Sequence, residues 1–260
     1  MPAPSSEFDL PLYRDAQLYD AEHWWKTDDL QFWRELAAEF GPRVLELAAG
    51  TGRLALTVLE SDSHYTGLEI SAPFLERARE KLASYGHRAR LILGDMRDFH
   101  LGESFDLIFI GFNAFLHLLN DDDACSALRC MAEHCHAETR LAIDIFVPDP
   151  LFLFRPPNHR AAAMDYIDPI DGQSVSVTES NEYDPLTELN RISWYYSTAK
   201  RPDFLRYDFT MRMFYPDTMD RLLHDCGFQV LEKWGDYGRH PFGPESALQL
   251  YLARPAGNEQ

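Results

Sequence analysis

The chain has 260 residues, 45% of them apolar and 25% charged. That is the composition of one generous globular domain, or one domain with an elaboration, and it excludes disordered and fibrous classes. Lys and Arg number 24 against 42 Asp and Glu, a formal net charge of −18 that repels nucleic-acid phosphate at long range, so a nucleic-acid partner is not expected. The greasiest stretch, 105–119, is interrupted by Asp106, Asn113 and His117 and falls short of a membrane span, so no membrane partner is expected either. The amino terminus lacks a basic and then apolar leader, which predicts a cytoplasmic protein. Cys125, Cys130 and Cys135, spaced by five, scatter around a helix instead of sharing a face; with Cys226 they read as ordinary thiols, and no metal site is assigned.

In chain order, Leu30, Trp33, Leu36, Ala37 and Phe40 fall at helical spacing and end at Gly41-Pro42, so residues 1–40 read as a helical amino-terminal cap in which Trp24, Trp25 and Trp33 are core aromatics. Val44 to Leu47 reads as a strand, running into the turn Ala48-Ala49-Gly50-Thr51-Gly52 and a helix from Arg53. His64–Ile70 is a second strand, and Ser71-Ala72-Pro73 caps a helix with Phe74, Leu75, Ala78, Leu82 and Tyr85 on one face. Ala89–Leu93, Phe105–Ile110 and Arg140–Phe146 are further strands, the last two joined by a helix carrying Ala124, Ala127, Leu128, Met131 and Cys135. Strands alternating with helices over 41–150 predict a doubly wound, Rossmann-like parallel sheet.

Residues 151–215 then switch to period two at Val175, Val177, Ile192, Trp194, Tyr196, Tyr207 and Phe209, which predicts an antiparallel β insertion of three or four strands. Over 216–260, Met219, Leu222 and Leu223 mark a helix ending at Gly227, and the strands 228–234 and 247–253 complete a seven-stranded α/β sheet.

Ligand chemistry concentrates at strand ends. Gly50-x-Gly52-x-x-Ala55 satisfies the loose dinucleotide fingerprint, with Glu69 placed 19 residues later to accept two ribose hydroxyls, so NAD is one reading. Glu46 favours a cationic ligand such as S-adenosylmethionine, because a carboxylate beside the turn repels a pyrophosphate. Asp95 closes the third strand, where a carboxylate accepts from an adenine amine while Met96 covers the ring. Open α/β sheets bind at the carboxyl ends of their strands, so these residues should converge on one crevice.

The ordered set Glu46-Leu-Ala-Ala-Gly50-Thr-Gly52-Arg53, Glu69-Ile70-Ser71, Gly94-Asp95-Met96 and Phe105-Asp-Leu-Ile-Phe resembles the motifs of class I S-adenosylmethionine-dependent methyltransferases over residues 40–147. The resemblance implies that Glu46, Ala48, Gly50 and Gly52 meet the methionine portion, Glu69 and Ile70 the ribose, and Asp95 and Met96 the adenine. Ala48 stands where the family often has glycine, a departure that costs little if its φ is negative. Tyr19-Asp20, Asn113-Ala-Phe-Leu-His117, the β insertion and Arg212-Met-Phe-Tyr-Pro216 are similar to bacterial small-molecule methyltransferases, including sugar-amine and glycine N-methyltransferases. This implies that Tyr13 or Tyr19 caps the cofactor and that Gly111 and Asn113 face the methionine.

His117, just past the fourth strand, is the candidate general base. The loop 235–241, with Tyr237 and His240, lines the acceptor pocket or is an exposed hairpin. The element Asn or Asp, two prolines and an aromatic, used on nucleobases, does not occur; Pro156-Pro157-Asn158 has the wrong order. The expectation is methyl transfer to a small soluble acceptor, nitrogen before oxygen, with the insertion serving as a lid or a homodimer surface. The other readings are an NAD-dependent oxidoreductase and a catalytically silent cofactor-binding module.

Overall fold

A computed structural model describes residues 15–257. In chain order it begins with α1 (Ala16–Glu22), α2 (Leu30–Phe40), β1 (Arg43–Leu47), α3 (Arg53–Leu59), β2 (His64–Glu69), α4 (Ala72–Leu82) and β3 (Ala89–Leu93). β4 (Phe105–Ile110), α5 (Asp121–Glu133) and β5 (Cys135–Phe146) follow, then α6 (Pro150–Leu153) and the strands β6 (Ala161–Ile167), β7 (Ser174–Asp184), β8 (Leu189–Ser197) and β9 (Leu205–Arg212). α7 (Pro216–Asp225), β10 (Phe228–Trp234) and β11 (Leu248–Pro255) end the chain. The described residues divide into two compact units, 28–148 with 214–257 and 15–27 with 149–213.

The larger unit carries a seven-stranded sheet in the order β10-β11-β5-β4-β1-β2-β3. β1 to β5 run parallel and β10 and β11 antiparallel, as doubly wound folds with an antiparallel edge do. The order reverses between β1 and β4, so the crevice for a ligand lies outside the carboxyl ends of these two strands. The strands are nearly continuous apolar runs because helices cover them; Val44, Leu45, Leu107, Ile108, Phe109 and Ile110 are all fully buried. Cys135 departs from its expected helical place and opens β5, because α5 stops at Glu133 with His134 as its C-cap. No helix among the described residues is long and apolar enough to cross a membrane.

The amino-terminal stretch divides between the units instead of forming one cap. α2 buries Phe32, Trp33, Leu36 and Ala37 in the larger unit, where Trp33 stacks on Phe109 at 4.4 Å. α1 belongs to the smaller unit, with its N-cap Asp15 accepting from the amides of Gln17 and Leu18. Trp24 and Trp25 are not core aromatics: they follow the end of α1 and are 67% and 48% exposed.

In the smaller unit β6-β7-β8-β9 form an antiparallel sheet whose alternation buries Tyr166, Val175, Val177 and Tyr196, with Leu18 and Ala21 of α1 packed on that face. Glu22 at the end of α1 is fully buried in this unit, and burial, with the charge of Asp15, pushes its carboxyl up to about 7 although Tyr196 offers a hydrogen bond. The folded state therefore holds a proton that the unfolded chain loses above its ordinary carboxyl range, and stability falls as pH rises from about 4.5 to about 7. Glu22→Gln should stabilise the protein by roughly 2 to 3 kcal/mol at pH 8 and by almost nothing at pH 4.5, read by urea unfolding at the two pH values.

Candidate functional site

The turn after β1 is held by a carboxylate. Glu69, the last residue of β2, accepts the Gly50 amide on Oε2 at 2.8 Å and the Ser71 amide on Oε1 at 2.7 Å. Burial pushes this carboxyl up, against the lowering by the amides of Ser71, Gly50 and Ile70. Three amides on two oxygens leave Glu69 acceptor capacity for a ribose hydroxyl. Gly50 and Gly52 have φ of +58° and +79°. A Cβ on Gly50 would meet no atom within 4 Å, whereas one on Gly52 would press within 3.2 Å of Ala78 Cβ on α4. Gly52 thus lets α3 pack on α4, and Gly50 leaves open space beside the turn for a ligand. Ala48 does not keep negative φ: it adopts +56°, a left-handed conformation that a side chain resists by roughly 1 to 2 kcal/mol.

Glu46 differs from its expected role. Parallel pairing aligns Glu46 with Gly67 and Val44 with Tyr65, so Tyr65 and Glu46 share a sheet face. The Tyr65 hydroxyl donates to Glu46 Oε2 at 2.6 Å, and Gly67 makes the room, since a Cβ there would lie 2.7 Å from that hydroxyl oxygen. Glu46 is 3% exposed, and burial pushes its carboxyl up to about 8 despite the Tyr65 bond and the charge of Arg53. Largely neutral near pH 7, it does not repel a pyrophosphate as a free carboxylate would, so it does not by itself select the cationic ligand.

Asp95 lies two residues beyond β3 and is gripped by Arg97, whose Nη2 meets Oδ2 at 2.7 Å and whose amide meets Oδ1 at 2.9 Å. Burial opposes ionisation, but these Arg97 bonds outweigh it and hold Asp95 below the usual carboxylate range. Arg97 Nη1 also reaches Asp123 Oδ1 at 3.0 Å, so the adenine candidate is pinned to the start of α5. Met96 is half-buried beside it, and Ile70 is partly exposed beyond β2.

On the other side of the switch point, β4 is followed by Gly111, where a Cβ would collide with Leu54 Cδ1 at 2.6 Å; the glycine allows α3 to approach. Phe112 and Asn113 follow with φ of +50° and +64°. Two bonds hold them there: the Phe112 amide donates to Asp144 Oδ2 at 3.1 Å, and Asn113 Oδ1 accepts the Phe146 amide at 2.8 Å. The Asn113 carboxamide oxygen is thus occupied in joining β4 to β5. His117 closes the following short helical turn, half-buried, and burial drives its imidazole down to about 4.

Tyr237 belongs to the same cluster. Its hydroxyl donates to Asp144 Oδ2 at 2.9 Å, and its ring lies 5.6 Å from Phe32 of α2. Arg239 Nη1 meets Glu39 Oε2 at 3.0 Å, so the loop 235–241 is fastened to α2 and is no free hairpin. His240 is not brought in: its imidazole is 78% exposed and pairs with Asp236 at 3.0 Å.

Sequence reasoning missed Asp144, Tyr65 and Asp29. Asp29 takes both Nη atoms of Arg53 at 2.6 and 2.7 Å, and Arg53 also lies 5.1 Å from the Phe112 ring. An acid in the apolar run 141–146 was the available signal for Asp144, the same signal that singles out Glu46. Tyr19 stacks on His23 at 4.2 Å in the smaller unit, and Tyr13 lies outside the described residues.

Residues 44–138 match a family model described as a methyltransferase domain. The chain is 34% identical over 128 residues to a dTDP-3-amino-3,6-dideoxy-alpha-D-glucopyranose N,N-dimethyltransferase of Streptomyces fradiae, a match spanning 46% of this chain and 48% of that protein. It therefore spans about half the length of that relative. A glycine/sarcosine N-methyltransferase of Halorhodospira halochloris is 27% identical over 220 residues, 82% of this chain and 75% of that one. Among solved structures, the CcbJ methyltransferase of Streptomyces caelestis superposes with a TM-score of 0.80 over 94% of this chain and 98% of its own, at 23% identity, a likeness of fold. The residues at this end of the sheet offer a nucleoside cofactor open space at Gly50, acceptor capacity at Glu69 and an ionised Asp95.

The strained alanine gives a direct test of the turn. Ala48→Gly should raise unfolding free energy by about 0.5 to 1 kcal/mol, the relief of left-handed strain less the entropy glycine adds to the unfolded chain, measured by chemical denaturation.

Proposed function

We propose that the chain is a class I S-adenosylmethionine-dependent methyltransferase that methylates a nitrogen of a small soluble acceptor. The observation that carries this reading is the division of the larger unit at its switch point. Glu69 and Asp95 stand at the ends of β2 and β3 on one side, and the Asp144–Tyr237 pair stands beyond β4 on the other. The first group suits ribose and adenine; the second suits an acceptor. The printed names of the relatives, a sugar amine dimethyltransferase and a glycine/sarcosine N-methyltransferase, support nitrogen.

S-adenosylmethionine supplies an electrophilic methyl on a sulfonium, and transfer forms a nitrogen–carbon bond as the sulfur–carbon bond breaks with its electron pair remaining on sulfur. Positioning supplies much of the rate of such an in-line displacement. In this reading Glu69 holds the ribose hydroxyls, Asp95 the adenine amine with Met96 on the ring, and the turn 48–52 lies along the methionine portion. His117 serves as a neutral imidazole, whose low proton affinity suits a hydrogen-bonding partner better than a store for the proton that the methylated amine releases to solvent.

S-adenosylmethionine and S-adenosylhomocysteine should raise the melting temperature, by roughly 2.7 kcal/mol of stabilisation at about 100 times the dissociation constant, while NAD and NADP should not. Incubation with amino sugars, glycine, sarcosine and ethanolamine should then release S-adenosylhomocysteine. The rate should rise with pH as the free amine fraction grows, with no step near pH 6.5 from His117, because burial keeps that imidazole neutral down to about 4. Tight cofactor binding without turnover on any acceptor would instead favour a silent binding module.

A further inference from the structure

Asp144 is a fully buried acid in the otherwise apolar second half of β5, 141–146, and the proposed chemistry does not by itself require it. Its Oδ2 collects two donors from two loops: the Phe112 amide after β4 at 3.1 Å and the Tyr237 hydroxyl between β10 and β11 at 2.9 Å. Its own carbonyl accepts the Asn113 amide at 3.0 Å. One carboxylate thus sets both the left-handed pair after β4 and the direction in which Tyr237 spends its proton.

A phenol has one proton and two lone pairs. With the proton directed at Asp144, the Tyr237 oxygen can meet any further group only as an acceptor. We propose that Asp144 and Tyr237 form a dyad that receives the acceptor nitrogen, Tyr237 taking a hydrogen bond from its N–H and Asp144 acting as the positioning residue that keeps the phenolic oxygen in the accepting orientation. The dyad rests on the reading of an amine acceptor and extends it to specificity. A carbonyl, ether or carboxylate presented to the same oxygen would oppose lone pair to lone pair.

Three further observations support the assignment. Tyr237 is held in place, by Phe32 against its ring and by Arg239 fastening its loop to α2, so its oxygen is pre-oriented. The charges of Asp144, Asp29 and Asp28 all act on its hydroxyl and, with burial, make it a phenol that does not ionise in the physiological range. The same negative surroundings favour a donor hydrogen over a lone pair and stabilise the positive charge that develops on a neutral amine nitrogen as it takes the methyl group. Finally, the dyad stands at the carboxyl end of β5, on the side of the switch point opposite Glu69 and Asp95, which leaves those residues to the cofactor.

The test is steady-state turnover of glycine, sarcosine, ethanolamine and 3-amino-3-deoxy-D-glucose by the wild type, Tyr237→Phe, Asp144→Asn and the double variant, with the Kd for S-adenosylmethionine measured on each. The KM for whichever amine the wild type methylates should rise roughly 10- to 100-fold in either single variant, the loss expected for one hydrogen bond to a charged or polarised group. The double variant should lose little more, because the two residues act as a unit, and the cofactor Kd should stay within about threefold throughout. An unchanged amine KM in Tyr237→Phe would overturn the dyad and leave amine methylation standing. A matching loss of cofactor affinity would overturn it in favour of a role in the cofactor cradle. Failure of the wild type to methylate any of the amines while binding the cofactor would overturn the amine reading and the dyad with it. Should Asp144→Asn fail to fold, Tyr237→Phe decides alone, since it removes a single oxygen atom.

Discussion

The carboxylate of Glu69 ties the glycine turn to the sheet, and the geometry of the cofactor side follows from that tie. By accepting the amides of Gly50 and Ser71 it joins the turn leaving β1 to the cap of α4. A turn with three left-handed residues, Ala48, Gly50 and Gly52, has little intrinsic reason to hold one shape. Two charge-assisted bonds from a buried acid supply that reason, and Gly52 against Ala78 closes the other side. Glu69 is thus already oriented before any ligand arrives, its remaining acceptor capacity directed by the amides it has taken.

The same device recurs at four more acids, one of them the N-cap of α2, with a different donor each time. Tyr65 takes Glu46, Arg97 takes Asp95, Arg53 takes Asp29, and the Phe112 amide with Tyr237 takes Asp144. An acid buried at the rim of a sheet is costly unless hydrogen-bonded, so each partner is what makes its acid tolerable there. The consequences differ. Asp95 stays ionised because a guanidinium faces it, while burial pushes Glu46 up to about 8, outweighing both the hydrogen bond from the Tyr65 phenol and the charge of Arg53. A chain with net charge −18 thus carries several of its acids as fixed acceptors, some neutral and some charged, according to what each one touches.

Much of this was legible in the sequence. Alternating apolar runs and glycine punctuation located every strand of the seven-stranded sheet, and the period-two alternation at Val175, Val177, Trp194 and Tyr196 located the second sheet. The strand-end acids were visible because an acid in an apolar run is rare. Their partners were not: Tyr65 and Arg97 reach Glu46 and Asp95 through sheet register and loop geometry, which local spacing does not encode. The positive φ of Ala48 was missed because propensity assigns alanine the ordinary helical and extended regions, and only the surrounding turn forces it elsewhere. Trp24 and Trp25 were misplaced because bulk hydrophobicity says nothing of where a seven-residue helix stops. His240 fell outside the cluster because the loop turns after Tyr237 and hands its imidazole to Asp236.

In the proposed reading, pre-oriented acids at the ends of β2 and β3 hold an adenosyl cofactor and leave the ends of β4 and β5 to an acceptor. A crystal structure of the complex with S-adenosylhomocysteine tests it most directly. Ribose hydroxyls should lie on Glu69 with its Gly50 and Ser71 bonds retained, the adenine amine on Asp95, and the sulfur toward the Asp144–Tyr237 side. A ribose bound away from Glu69, or a sulfur directed toward β3, would contradict it.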